Sequence, residues 1–438
     1  MKHNKLPALA LLLALVCLLS ACATNAPAST GTPDSSDPTP SASSDPAPDA
    51  ASLSGEIVVA TWAGDPYESA WKAKAAEFEE MTGVSVVIDA VPWENLREKS
   101  VLELASGTGA YDVVYVHPSW FVEFAQNGYL MPVSEYASAE ETGAYVSNLL
   151  EDYVLNGTLY GLPDFIGSQV LAYRTDIFEE HGLKAPESWS DILAACEALA
   201  GNADYSPITF PAKKGGTLAS AYSAFLVSNG GWYLDEDGKA AMDTDAAREA
   251  MELLQTLAQY EAPGYLNAHW DENGQTAANG KAAMAVIMSV NGAWLEDENS
   301  SATAGKWAYV PIRSDKGTVG GIVDDYCWSV VEGSKNAAAA GEFVKFITGT
   351  ECQTYFTETS STCGATTAYY ENEDLIASQP VLGALQLTLE NTKPAPTWST
   401  WSEEQELLEV TLQDLMSGHC TVEEALQTVQ AKFAETHN

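Results

Sequence analysis

Positive charge is what this 438-residue chain most lacks: 20 Lys and Arg stand against 61 Asp and Glu, for a formal net charge of −41 at pH 7. A surface this acidic repels phosphate backbones, which excludes nucleic acid as a partner and favours a neutral or cationic ligand over an anionic one. Histidine is scarce too, with six residues scattered along the chain and His3 and His437 near its ends. No His-Glu-x-x-His, Gly-x-Ser-x-Gly or Cys-x-x-Cys occurs. The usual signatures of zinc hydrolysis, serine hydrolysis and thiol redox chemistry are therefore missing. Gly274 to Lys281 imitates a phosphate loop but has one residue too many between its glycines and Ala282 where a magnesium-binding hydroxyl belongs. Asp235-Glu236-Asp237-Gly238 lacks the spacing and closing Glu of a calcium loop and reads as a turn. No cofactor or metal is expected.

Long apolar runs are also missing, except for one at the start. Lys2 and Lys5 precede the run Leu6 to Leu19, which ends in Leu19-Ser20-Ala21-Cys22. That run is short for a membrane span, and small residues before a cysteine suit a signal peptidase. The arrangement resembles the lipobox of bacterial lipoproteins, which implies cleavage after residue 21, a lipid on Cys22 and attachment to the outer face of the cell membrane. From Ala23 to Ser54 the chain is almost wholly Ala, Pro, Ser, Thr, Asp and Gly, too poor in apolar residues to fold, and reads as a tether. At roughly 3 Å per residue it reaches up to ~100 Å, a length suited to a thick Gram-positive wall. Five cysteines lie beyond Cys22. Cys352 and Cys363 are the pair that a disulfide would join, worth roughly 3 kcal/mol if geometry allows; Cys196 and Cys327 read as buried thiols.

The remainder, from about residue 55, is long enough for two cored lobes. Glu56 to Trp62, Val84 to Val91 and Tyr111 to Val116 read as strands, with helices over Tyr67 to Met81 and Glu94 to Ala105 between them. This βαβαβ order predicts a parallel sheet whose ligands collect at the strand carboxyl ends, at Trp62 to Asp65, Pro92-Trp93 and His117 to Trp120. Strand character returns at Ser168 to Tyr173, Ala282 to Met288, Trp307 to Val310 and Val319 to Val331. Helical periodicity marks Trp189 to Ala200, Leu218 to Ser228, Asp245 to Tyr260 and five segments after Ala337. Thr421-Val422-Glu423-Glu424 is a capping box for the last of these.

In that order the chain resembles the extracellular solute-binding proteins of family 1, the maltose-binding-like receptors of carbohydrate ABC transporters. The resemblance rests on Phe78 to Val84, Ser106 to Val114, Gly157 to Pro163, Leu171 to Phe178, Gly280 to Met284 with Asn291 to Trp294, and Ser334 to Asn336. It implies an α/β fold of the type II periplasmic-binding-protein kind, with two lobes, each a mostly parallel sheet flanked by helices, and a helical C-terminal region. It also implies a first lobe of residues 55–165 and 284–332 and a second of 166–283 and 333–438, hinged so that ligand held by both favours closure. The partners implied are a mono- or oligosaccharide and the permease subunits of an importer, with the binding protein itself a monomer and not an enzyme.

Sugars present apolar C–H faces and a ring of hydroxyls, so their sites pair flat aromatic walls with a few fixed polar groups. Among the 12 tryptophans, Trp62 and Trp120 follow strand ends, Trp232 follows Gly230-Gly231, and Trp398 and Trp401 precede a long helix where the family places cleft aromatics. Trp93, Trp270 and Trp294 rank second, and Trp71, Trp189, Trp307 and Trp328 read as core. The polar candidates are Asp65, Asp164, Asn291, Asp324 and Asp325, with His117 beside the third strand; a carboxylate accepts two hydroxyls. The same acids would suit a cationic ligand such as a polyamine, its methylenes covered by aromatics. A glycan-active enzyme needs only two carboxylates, and a surface sensor needs only the cleft.

Overall fold

The structure is a computed structural model that describes residues 53–64, 66–360 and 362–437. Cys22, the leader, the greater part of the tether and Asp65 lie outside the described residues. The strands are β1 Gly55–Trp62, β2 Val84–Val91, β3 Val113–Val116, β4 Val154–Leu155, β5 Thr158–Leu159, β6 Leu162–Gly167, β7 Gln169–Arg174, β8 Ser206–Thr209, β9 Ala282–Met288, β10 Trp307–Pro311, β11 Gly321–Val330 and β12 Thr392–Pro394. They form two larger sheets and the small β4–β5 hairpin. The first sheet has the order β12-β11-β3-β1-β2, with β6 also paired to β11; the second has the order β10-β7-β9-β8. Pairing is parallel across β2-β1-β3, in β8–β9 and in β11–β12, and antiparallel where β6, β7, β10 and the rest of β11 join.

Sequence dictates the first sheet's layers directly. The β1 residues Ile57 and Val59 face a core with Trp71, Ala75 and Phe78, which share one face of the helix Tyr67–Thr82 by their spacing of four and three. That helix stops at Gly83, whose φ of 77° is the left-handed turn that terminates helices. On the other face Val114, Val116 and Cys327 meet Phe121 and Phe124. The second sheet carries its own core, in which Leu171, Ile208 and Met284 meet Trp189, Phe225, Leu254 and Leu412 from the covering helices.

Sheet membership redraws the expected lobe boundaries. The resemblance implies the first lobe for the chain from residue 284 to 332, yet β9 and β10 pair with β7 and β8 in the second sheet. Conversely, the helices Ala337–Ile347 and Thr350–Ser360, expected in the second lobe, bury Phe343, Val344, Ile347 and Phe356 in the first core. The cause is register. Met284 lies opposite both Ile208 and Tyr173, so β9 completes a sheet that β7 and β8 otherwise leave without a centre.

The chain passes between sheets where β6 runs through Ser168 straight into β7, and again where β10 leads through Ile312 to β11. The passages touch: the Ile322 amide donates to Gln169 Oε1 at 2.9 Å. Glycine is required there, since a Cβ on Gly320 would sit 2.4 Å from the Ser228 nitrogen and one on Gly321 2.5 Å from Ser168 Oγ. The expected disulfide is absent. Cys352 belongs to the first core and Cys363 to a separate cluster with Tyr369 and Leu385, and both are free thiols.

Candidate functional site

The carboxyl ends of β1, β2 and β3 bring four predicted or neighbouring aromatics together. Trp62 ends β1, Trp93 opens the helix Trp93–Ser106 directly after β2, and His117 follows β3. Trp93 lies 6.0 Å from Trp62, 4.8 Å from Trp120 and 5.7 Å from His117, ring centre to ring centre. The floor of the group is Tyr326 of β11, whose ring stacks on Trp62 at 5.5 Å and on Tyr115 at 5.2 Å and lies 5.0 Å from His117. Because β11 runs antiparallel to β3, its residues before Cys327 project beyond the end of β3 and floor the strand-end crevice.

His117 fixes the polar edge. It caps the helix Pro118–Gln126, its Nδ1 accepting the Ser119 N–H at 3.2 Å. The ring proton therefore sits on Nε2, which donates to Asp324 Oδ1 at 3.2 Å. Asp324 and Tyr326 point to one side of β11, as residues two apart on a strand must. Asp324 keeps lone pairs free to accept ligand hydroxyls beside a flat aromatic surface. The buried indole Nε1 of Trp62 has no hydrogen-bond partner among the described residues.

Tyr67 carries the site toward the second lobe. Its ring stacks on Trp62 at 5.2 Å, and its phenol is pushed well up, first by burial and then by Cys363 and by Asp271 of the helix Trp270–Ala278. Asn291 follows β9 in the turn Ser289–Asn291; it is buried, and its Oδ1 has no partner among the described residues.

Other predicted residues lie elsewhere. Asp164 is buried behind the aromatic layer, where Tyr115 donates to its Oδ1 at 2.9 Å and burial pushes its carboxyl up to about 7. Asp325 points to the opposite side of β11 from Asp324 and is fully buried. Trp232, Trp398 and Trp401 are partly buried against the second core. Trp232 lies 5.0 Å from Tyr233, Trp401 lies 5.0 Å from the same ring, and Trp398 donates to Glu404 at 2.6 Å. Among the described residues no ring contact joins this second aromatic group to the first. The residues that the leading candidates omitted are Trp93, Tyr326 and Tyr67. For Tyr326 the signal was its place two residues after Asp324, on the same face of a strand.

Comparison with known proteins places this architecture. Residues 64–354 match the family model described as bacterial extracellular solute-binding protein. A putative binding protein of Brucella abortus is 24% identical over 375 residues, spanning 84% of this chain and 89% of that one. Among solved structures, maltose-bound T. maritima MalE3 superposes with a TM-score of 0.77 at 19% identity, covering 86% of this chain and 99% of that chain. A solute-binding protein of Agrobacterium vitis with bound D-mannitol gives 0.71 at 21% identity, covering 87% and 98%. The two sheets are accordingly the two lobes of a type II periplasmic-binding-protein-like fold, and the chain belongs to the bacterial extracellular solute-binding protein family.

Proposed function

We propose that this protein is the substrate-capturing component of an ABC importer and that it holds a carbohydrate or polyol between its lobes. The observation that carries the reading is the strand-end surface of Trp62, Trp93 and Tyr326 with the His117–Asp324 pair at its edge. Aromatic faces cover the C–H side of such a ligand while Asp324 orders its hydroxyls. The maltose and mannitol seen in the two related structures have that chemistry. Closure of the second lobe over the ligand, about the two adjoining passages, is the signal to the permease. The protein binds and releases without turnover, acts as a monomer, and is held by a lipid on Cys22 at the outer face of a Gram-positive membrane.

The negative charge favours a second ligand class, polyamines, and one experiment separates the two. Sugars, polyols and polyamines are screened by thermal shift; a ligand at 100 times its dissociation constant adds about 2.7 kcal/mol. A rise in melting temperature with a sugar or polyol is the expected result. A rise with polyamines alone would overturn the carbohydrate reading.

A further inference from the structure

A strand that leaves a sheet takes hydrogen-bond partners away from its neighbour. The register that sets Asp325 opposite Ile166 and Asp324 opposite Gly167 would, carried two residues further, set Ile322 opposite Gln169. The main chain of Gln169 is elsewhere: it opens β7 and lies opposite Met288 in the second sheet. The side chain reaches back. Its Oε1 accepts the Ile322 N–H at 2.9 Å, so the carboxamide stands where the backbone of β6 would have continued the ladder.

The other end of that carboxamide is held by the second lobe. Its Nε2 donates to Ser220 Oγ at 3.0 Å, on the helix Thr217–Ser228, whose Leu218, Tyr222 and Phe225 belong to the second core. Because the Ile322 N–H can only donate, the oxygen end must face it. The group has no room to swing: Gln169 is 0% exposed, and a Cβ on Gly321 would stand 3.1 Å from its Oε1. On the opposite edge of the same stretch, β12 runs parallel to Gly321–Val323, and Asn391 donates to the Val319 carbonyl at 2.6 Å.

Gln169 thus belongs to one sheet by its main chain and completes the other by its side chain, at the point where two passages between the lobes touch. Such a bond survives only some movements. Rotation of one lobe about a line through Gln169 and Ile322 leaves the two atoms together, whereas twist or shear of one passage past the other separates them and strands a buried amide. We propose that Gln169 is the pin of the hinge: it confines the movement of one lobe on the other to a single axis through the adjoining passages, so that the two lobes meet in one alignment.

The inference rests on the hinge motion proposed above, but its test needs no ligand, so its failure leaves the carbohydrate reading to the thermal-shift screen. The chain with Cys22→Ser and Cys420→Ser retains only buried, unreactive thiols. Spin labels are placed at Leu102→Cys in the first lobe and Val410→Cys in the second, both exposed positions, and the distance between them is read by pulsed electron spin resonance. The expected result is one narrow distance peak in this parent and a distribution about twice as wide or wider in Gln169→Met, which keeps the volume and loses both hydrogen bonds. Melting temperature falls with the loss of any buried bond, so the width is the deciding readout. Gln169→Asn, one methylene short of Ile322, should widen the distribution as well and serves if Gln169→Met does not fold. In the parent, hydrogen exchange at the Ile322 amide should be strongly slowed. A folded variant with the parent's width, or an Ile322 amide that exchanges as fast as in an unfolded chain, would each overturn the proposal.

Discussion

Trp93 stands at the centre of the strand-end aromatics and yet is 37% exposed, so in the proposed function its ring gives up water when a ligand arrives rather than when the chain folds. Trp93→Ala is therefore expected to weaken binding of any compound identified by thermal shift by ~2 kcal/mol, about thirtyfold, the scale of an aromatic hot spot. Its own melting temperature should fall little. Trp189 makes the opposite case: it is 3% exposed, lies 4.9 Å from Phe225 and donates to Ser228 Oγ at 3.0 Å. Trp189→Ala should cost roughly 3–5 kcal/mol of stability and leave affinity nearly intact in whatever fraction stays folded. Titration calorimetry beside thermal melts reads both. If Trp93→Ala melts early and binds normally, the aromatic surface is scaffold. Residue type brought Trp62, Trp120, His117 and Asp324 forward as candidates, and the structure gathers them around Trp93 and Tyr326. It could not rank Trp93 above Trp232, because which tryptophan is covered by its neighbours depends on contacts between distant elements.

At the scale of elements, the helix Trp401–Met416 shows how a C-terminal segment fixes a distant loop. Glu409 is buried, and its carboxylate accepts the N–H groups of Gly215 at 2.7 Å, Gly216 at 2.9 Å and Ala219 at 3.1 Å. It thereby fills the amino end of the helix Thr217–Ser228, where unpaired amides and the helix dipole favour negative charge. One turn further along, Gln413 donates to the carbonyls of Ala212 and Leu266 at 2.8 and 3.0 Å. Glu409→Ala strands those amides and should cost about 3 kcal/mol, since each buried polar group left unpaired costs roughly 1–3 kcal/mol. Hydrogen exchange should accelerate first at Gly215, Gly216 and Ala219. Exchange unchanged at those amides would show that the loop is held by other contacts. None of this was readable from a glutamate in a helical pattern. The helix itself was, as were β1, β2, β9 and the helix Val422–Ala434, because apolar period and capping are local properties. The strands β8 and β12 were missed because four and three residues carry no period. The lobe boundaries went wrong for a related reason: whether β9 joins one sheet or the other is decided by partners far away in the chain.

For the whole molecule, charge bears on where the protein works. The acidic surface is repelled by anionic lipid headgroups, so a folded body near a membrane is not drawn flat onto it, and its attachment depends on the acyl chains proposed at Cys22. Cys22→Ser should fold normally, with an unchanged melting temperature, and be shed into the medium; metabolic labelling with a fatty acid should mark the parent chain alone. Label on the Cys22→Ser protein would put the anchor elsewhere. Among the described residues no helix is long and apolar enough to cross a membrane. The interleaving of the lobes also sets the order of events before any ligand is met. The pairing of Val113 with Val330 joins residues about two hundred positions apart, and β12 joins the same sheet only at Thr392–Pro394, so the first sheet cannot be completed until about nine tenths of the chain is in hand. Contacts this remote slow folding. For a protein of an extracellular family, that delay favours passage of the newly made polypeptide across a membrane before its sheets close.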